Sequence, residues 1–185
     1  MSLKNKNRVC PAENAGSLDN FFRKLLQNPN RILKPYISAG MSILDFGCGP
    51  GFFSIEAAKL TGIDGVVYSV DLQEKMLEIV KKKIENTALE KIIRLSKCGE
   101  TDIGVNTRVD FILIFYMFHE LPEPEDTLKQ MKSILKPNGK ILIAEPKFHV
   151  AKKDFEKTKQ MFSNSGFKII GEPKIFFSRT ALLAQ

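Results

Sequence analysis

Two spacings of apolar residues alternate along this chain. Short apolar runs occupy residues 43–46, 65–70, 92–96, 110–115 and 140–145, each short enough for a strand and too continuous for a one-sided sheet. Between them, apolar residues fall three and four apart: Met76, Leu77, Ile79, Val80 and Ile84 within 73–86, and Leu128, Met131, Ile134 and Leu135 after Pro122 and Pro124. A helix is also predicted over 51–60, and a charged one over 152–163 with Gly166 as its stop. Ahead of the first strand, Leu18, Phe21, Phe22, Leu25 and Leu26 have helical spacing, then Asn28-Pro29 breaks the pattern before a short helix with Ile32, Leu33 and Tyr36. Residues 136–139, Lys-Pro-Asn-Gly, are expected to end a helix in a turn. At the other end, runs at 167–170 and 175–183 are separated by only residues 171–174. That turn is too short for a parallel crossover, so the two must pair antiparallel. The expected fold is α/β: five strands joined by helical crossovers and a C-terminal antiparallel hairpin, seven strands in a mostly parallel sheet with helices on both faces.

The most informative junction is Ile43 to Gly51, ILDFGCGPG, where an apolar strand runs into three glycines in five positions and then a helix. Gly47, Gly49 and Gly51 permit positive φ and bring bare backbone against a ligand, and the unpaired N–H groups of the following helix favour an anionic or polar group. Such a turn also occurs in α/β proteins with no ligand. A second strand ending in Asp71, twenty residues after Gly51, sharpens the reading, because an acid there binds ribose hydroxyls in nucleoside folds. The spacing is G-x-G-x-G, with Phe52 where a dinucleotide fingerprint needs its third glycine, so NAD is disfavoured.

At these residues the chain resembles the class I S-adenosylmethionine-dependent methyltransferases, small type 11 or quinone-biosynthesis-like branch, through LDFGCGPG and VDLQEKML. The resemblance covers about residues 41–183 and implies a Rossmann-like sheet with S-adenosylmethionine as cofactor. It implies that Asp45, Gly47, Cys48, Gly49 and Gly51 hold the methionine end, Asp71 the ribose and Leu72 the adenine face, with Phe115 bordering the methionine end. Where the family often has an acid for the adenine amine, this chain has Cys98-Gly99-Glu100, so Gly99 backbone or Glu100 would substitute. One domain is expected, 1–185, with 1–40 as an N-terminal helical lid and 41–185 as the cofactor-binding core. Phe21, Phe22 and Tyr36 would line the lid or simply dock helices on the sheet.

The fourth strand ends in Phe115-Tyr116-Met117-Phe118-His119-Glu120. Ligands of open parallel sheets sit at the carboxyl edge, so His119 and Glu120 are the catalytic candidates, able to take a proton from an acceptor near neutral pH. Set against that, Glu120 would cap a helix and His119 pack beneath it. Glu145 and His149, after the fifth strand, would lie near them if strands four and five are neighbours. Two histidines and two carboxylates suit a divalent ion, but without i, i+4 spacing a hydrogen-bonded pocket accounts for them and no metal is assigned. FYMFHE has no proline pair of the kind seen in exocyclic base-amine methyltransferases. Base N-methylation is therefore not expected, and the resemblance to the quinone-biosynthesis-like branch implies a small-molecule acceptor.

Composition narrows the rest. The chain has 185 residues, 43% hydrophobic, with net charge +7 and pI near 9.3. Its lysines are spread over helical segments without an arginine–aromatic recognition motif, which makes nucleic acid an unlikely partner and solvated helix faces the simpler account. Cys10, Cys48 and Cys98 are odd in number and far apart, fitting neither a disulfide framework nor a zinc site. No apolar stretch is long enough to span a bilayer, and the first residues lack a signal-peptide core, so a cytoplasmic protein is expected. A homodimer completing the pocket stays open. So do RNA or protein methylation, a cysteine-dependent metalloid methyltransferase and a non-catalytic cofactor-binding scaffold.

Overall fold

Central strands covered on both faces need apolar side chains pointing both ways, and the middle of this sheet is built so. A computed structural model describes residues 26–185. The strands are β1 (Ser42–Phe46), β2 (Val66–Asp71), β3 (Ile93–Lys97), β4 (Val109–Phe115), β5 (Leu135–Pro146), β6 (Lys168–Gly171) and β7 (Ser178–Ala184), in the order β3-β2-β1-β4-β5-β7-β6. The first five pair in parallel, and β7 runs antiparallel between β5 and β6. On β4, Phe111, Leu113 and Phe115 enter one layer while Ile112 and Ile114 enter the other, and β5 repeats the alternation with Leu142 and Ala144 against Ile141 and Ile143. The first layer is closed by α1 (Pro29–Leu33), α2 (Ser54–Thr61) and α3 (Glu74–Ile84) through Leu33, Ala57, Ala58, Val80 and Ile84. The second is closed by α4 (Pro124–Ile134) and α5 (Lys152–Asn164) through Leu128, Met131, Phe155 and Phe162.

Local boundaries depart from the sequence expectation where backbone geometry or burial overrides periodicity. α2 starts at Ser54, not at 51, because Gly51 has φ +83 and cannot open a right-handed helix. The crossover from β3 to β4, residues 98–108, contains no helix. Residues 136–139 do not form a separate turn. They belong to β5, where Leu135 pairs with Val109 and Lys140 with Phe111, and the surplus residues bulge out. The final strand begins at Ser178, not 175, since Ile175 turns into the first layer and Phe177 has φ +54.

Two N-terminal expectations separate. Phe21 and Phe22 lie outside the described residues. Tyr36 is not acceptor lining: its ring stacks on Phe111 at 5.8 Å and 7°, and Phe111 is in register with Ile43, toward the amino end of β1. Gln27, two residues before α1, instead reaches the carboxyl edge.

Candidate active site

β1 leaves the sheet through a turn that stays tied to β2. The N–H groups of Gly47 and Cys48 both donate to the Val70 carbonyl, at 2.8 and 2.9 Å. All three glycines of the turn have positive φ, but the space around them differs. A Cβ on Gly47 would lie 2.5 Å from Met117 Cγ, and one on Gly51 would lie 3.0 Å from a Val80 methyl. At Gly49 nothing lies within 4 Å, so its backbone faces an open cradle that a side chain would fill. Gly47→Ala is expected to cost about 2–4 kcal/mol, from left-handed strain together with the forced shift of Met117. Urea unfolding checks this. A loss under about 1 kcal/mol would show that the β4 end yields freely.

Asp71 closes this cradle. Its Oδ2 accepts from Gly49 N and its Oδ1 from Gln73 N, both at 2.8 Å, joining the glycine turn to the start of α3. Burial raises its pKa above the usual carboxylate value, against the lowering effect of the Gln73, Gly49 and Leu72 amides. Asp45 is 2% exposed and accepts from Ser54 Oγ at 2.5 Å, so it braces β1 against the first residue of α2 beneath the turn. Half-buried Leu72 packs against the second layer beside Asp71. Gly99 N donates to the Asp102 carbonyl at 2.9 Å, which leaves exposed Glu100 the better of the two proposed stand-ins at the adenine end. Asp102, which periodicity did not single out, lies close by: its carbonyl accepts from Gly99 N and its Oδ1 from Gly104 N at 3.0 Å. An open backbone cradle beside a buried carboxylate, with an apolar side chain next to it, fits a nucleoside cofactor.

A second cluster of polar side chains forms where β4 and β5 end together. Met117 packs on Gly47, which links the glycine turn to the segment that follows β4. Glu145, on β5 and 1% exposed, accepts the Phe118 N–H through Oε1 at 2.9 Å and pairs with His119 Nδ1 through Oε2. The His149 ring centroid lies 4.7 Å from that of His119. Burial lowers the His119 pKa, but the hydrogen bond and charge of Glu145, with Glu120 adding, outweigh it and hold the pKa above 6.5. Glu145 is thus the carboxylate bonded to His119, while Glu120, the other candidate, acts on it through its charge. Tyr116 has φ +65, and its hydroxyl meets Gln27 Nε2 at 2.5 Å and Ser178 Oγ at 2.7 Å. Neither Gln27 nor Ser178 carried a sequence signal, since each gains meaning only from its distant partner.

With this geometry in hand, residues 37–174 match the family described as a methyltransferase domain. The chain belongs to that family. A demethylmenaquinone methyltransferase of Lactobacillus johnsonii is 31% identical over 139 residues, covering 73% of this chain and 57% of the relative. A ubiquinone/menaquinone biosynthesis C-methyltransferase of Wigglesworthia glossinidia brevipalpis is 30% identical, covering 62% of this chain and 47% of that one. The chain thus spans about half the length of these curated relatives. Among solved structures, a SAM-dependent methyltransferase from Aquifex aeolicus superposes with a TM-score of 0.84 at 26% identity, over 95% of this chain and 98% of that one. The cofactor of this methyltransferase is S-adenosylmethionine.

The thiols of the methyltransferase weaken the metalloid alternative. Cys48 and Cys98 are buried, and burial raises both pKa values, that of Cys98 to about 11, which disfavours the thiolates a metalloid would need. Cys10 lies outside the described residues. Among the described residues no group of three or more His, Cys, Asp or Glu is set to hold a metal ion. Phe115 is buried between Phe53 at 4.2 Å and Tyr116 at 4.5 Å, under the turn that carries Gly51.

Proposed function

We propose that this methyltransferase places a methyl group on a ring carbon of a small quinol-type acceptor, with His119 as the base that takes the displaced proton. The observation that carries the reading is the His119–Glu145 pair at the carboxyl edge, beside the segment that packs on the glycine turn. The relatives' names, demethylmenaquinone methyltransferase and C-methyltransferase, supply the acceptor class.

S-adenosylmethionine, when bound, supplies a methyl group already electrophilic through its attachment to a sulfonium. The chain has to hold the acceptor in line and remove a proton. Buried Glu145 accepts from Nδ1–H of His119, which fixes the tautomer and leaves Nε2 as the proton acceptor; this assignment follows from the carboxylate partner. Asp71 orients the ribose, and the bare backbone at Gly49 admits the cofactor closely. Leu72 and the acids Glu100 and Asp102 are assigned to the adenine end, while Asp45, Cys48 and Phe115 shape the floor. The part of residues 1–40 ahead of α1 is assigned to the cover of the acceptor side, a role supported by the reach of Gln27 to Tyr116. A homodimer completing that cover is compatible with the reading. The likeness to a putative rRNA-methylase, at 19% identity, concerns the fold alone.

The test is incubation with S-adenosylmethionine and a reduced naphthoquinone bearing an unsubstituted ring carbon, with mass spectrometry of the product. A C-methylated ring is expected. Transfer to RNA or protein but to no quinol would overturn the reading.

A pH profile follows from His119. A base must be neutral, so kcat/KM should fall as pH drops through a pKa above 6.5. Glu145→Gln removes the interactions that raise this pKa, so any residual acid limb should move to lower pH. An unmoved limb would mean that another group titrates.

A further inference from the structure

Large apolar side chains left in water are normally scattered. Here Leu26, Phe148, Phe176 and Phe177, exposed by 51%, 79%, 48% and 55%, gather at one place from three distant stretches of chain. Two hydrogen bonds show this: Gln27 Nε2 donates to the Phe176 carbonyl at 2.9 Å, and Lys147 N donates to the Phe177 carbonyl at 2.9 Å. Phe176 and Phe177 meet edge-on with ring centroids 4.7 Å apart. Phe177 is held at φ +54, a conformation that a bulky residue takes at a cost, with its ring more out of the core than in it.

The patch borders the acceptor side. Phe148 precedes His149, whose ring faces His119, and Gln27 bonds both Tyr116 and Phe176. Its charge is one-sided. Lys147, Lys152, Lys153 and Lys174 are exposed nearby, and none of them is in an ion pair among the described residues. The acids at this edge are engaged: Glu145 with His119, Asp154 with Lys157, and Glu156 and Glu172 together with Lys159; of the four lysines, Lys153 also acts on Asp154 through its charge. Lys152 and Lys153 also stand in the first turn of α5, where the helix's own positive end disfavours cations. Exposed aromatic rings flanked by lysines outside any ion pair match a bilayer with anionic headgroups, in which rings settle at headgroup depth and lysines meet the lipid charge.

We infer that Leu26, Phe148, Phe176 and Phe177, with the lysines around them, dock this methyltransferase on an anionic lipid surface, so that an acceptor dissolved in the membrane enters beside Tyr116 and His149 without crossing water. The inference deepens the proposed quinol reading by assigning the acceptor to a membrane-partitioned class. No helix among the described residues is long and apolar enough to cross a membrane, so the contact is at the surface.

The test is co-sedimentation of the full chain with vesicles of phosphatidylcholine containing about one-third phosphatidylglycerol, against phosphatidylcholine alone. The protein is expected to sediment with the mixed vesicles and to be released by salt. Phe148→Ser combined with Phe177→Gly should lower the bound fraction at least fivefold; both rings are exposed and glycine accepts φ +54, so the fold is retained. Lys147→Glu with Lys174→Glu should abolish the preference for phosphatidylglycerol. These variants should turn over a short, water-soluble quinol as the wild type does. No binding to mixed vesicles, as expected if another part of the chain or a protein partner covers the patch, overturns the inference. So does equal binding by the aromatic variant. Sedimentation is read without turnover, so failure there leaves the methyl-transfer reading standing, and failure of transfer with binding intact sinks that reading alone.

Discussion

Replacing His119 by alanine is expected to lower methyl transfer about 10²–10⁴-fold while leaving the affinity for S-adenosylhomocysteine within about threefold. The imidazole pairs with Glu145 and lies against the His149 ring, and neither of these partners is Asp71 or part of the glycine turn, so its loss should spare the cofactor. Glu145→Gln is a sharper version of the same experiment. The Oε1 of residue 145 must still accept the Phe118 N–H, so the new amide nitrogen would face His119 Nδ1 and donate to it. The ring proton would then sit on Nε2, and a base would become a donor. About 10²-fold or more of the rate should be lost with volume nearly unchanged. Full turnover by a folded His119→Ala variant, or a rate loss that merely follows a loss of cofactor affinity, would assign the imidazole to packing.

Asp71→Ala should weaken S-adenosylhomocysteine binding by about 1.5–3 kcal/mol from the lost charge-assisted ribose bond, with a further loss because Gly49 and Gln73 lose their shared acceptor. Asp71→Asn separates these contributions. Its amide oxygen can keep one backbone N–H but not both, so an intermediate affinity is expected. Calorimetry with the product cofactor measures all three proteins. Equal affinity in wild type and Asp71→Ala would remove this carboxylate from the cofactor site, and tighter binding of NAD would remove the site from S-adenosylmethionine altogether.

The strand and the glycine turn after it were legible in the sequence because their determinants are contiguous. A run that is apolar at Ile43, Leu44 and Phe46 must be buried on both faces, and glycines spaced as at 47, 49 and 51 can only form a tight turn beside backbone. Asp71 was equally plain, since it ends a strand of the same type. Boundaries were less legible. The β3–β4 crossover without a helix and the bulge at 136–139 arise from sheet pairing, which no local spacing reports. Tyr36 illustrates the limit for single side chains: an aromatic near the start of the core suits a lid or a docked helix equally, and stacking on Phe111 decided for docking.

By itself the sequence determined most of the strands and helices, the mostly parallel sheet and the glycine turn, because each follows from residues within one turn or strand of one another. The tertiary structure alone decided that Glu145 pairs with His119, that Met117 fills the space over Gly47, and that Gln27, Tyr116 and Ser178 share one network. It also decided that four exposed apolar side chains share one edge. Such pairings depend on which strand ends become neighbours. That order, with β4 beside β1 and β7 inserted between β5 and β6, is set by packing over the whole sheet and not by the residues that end up in contact.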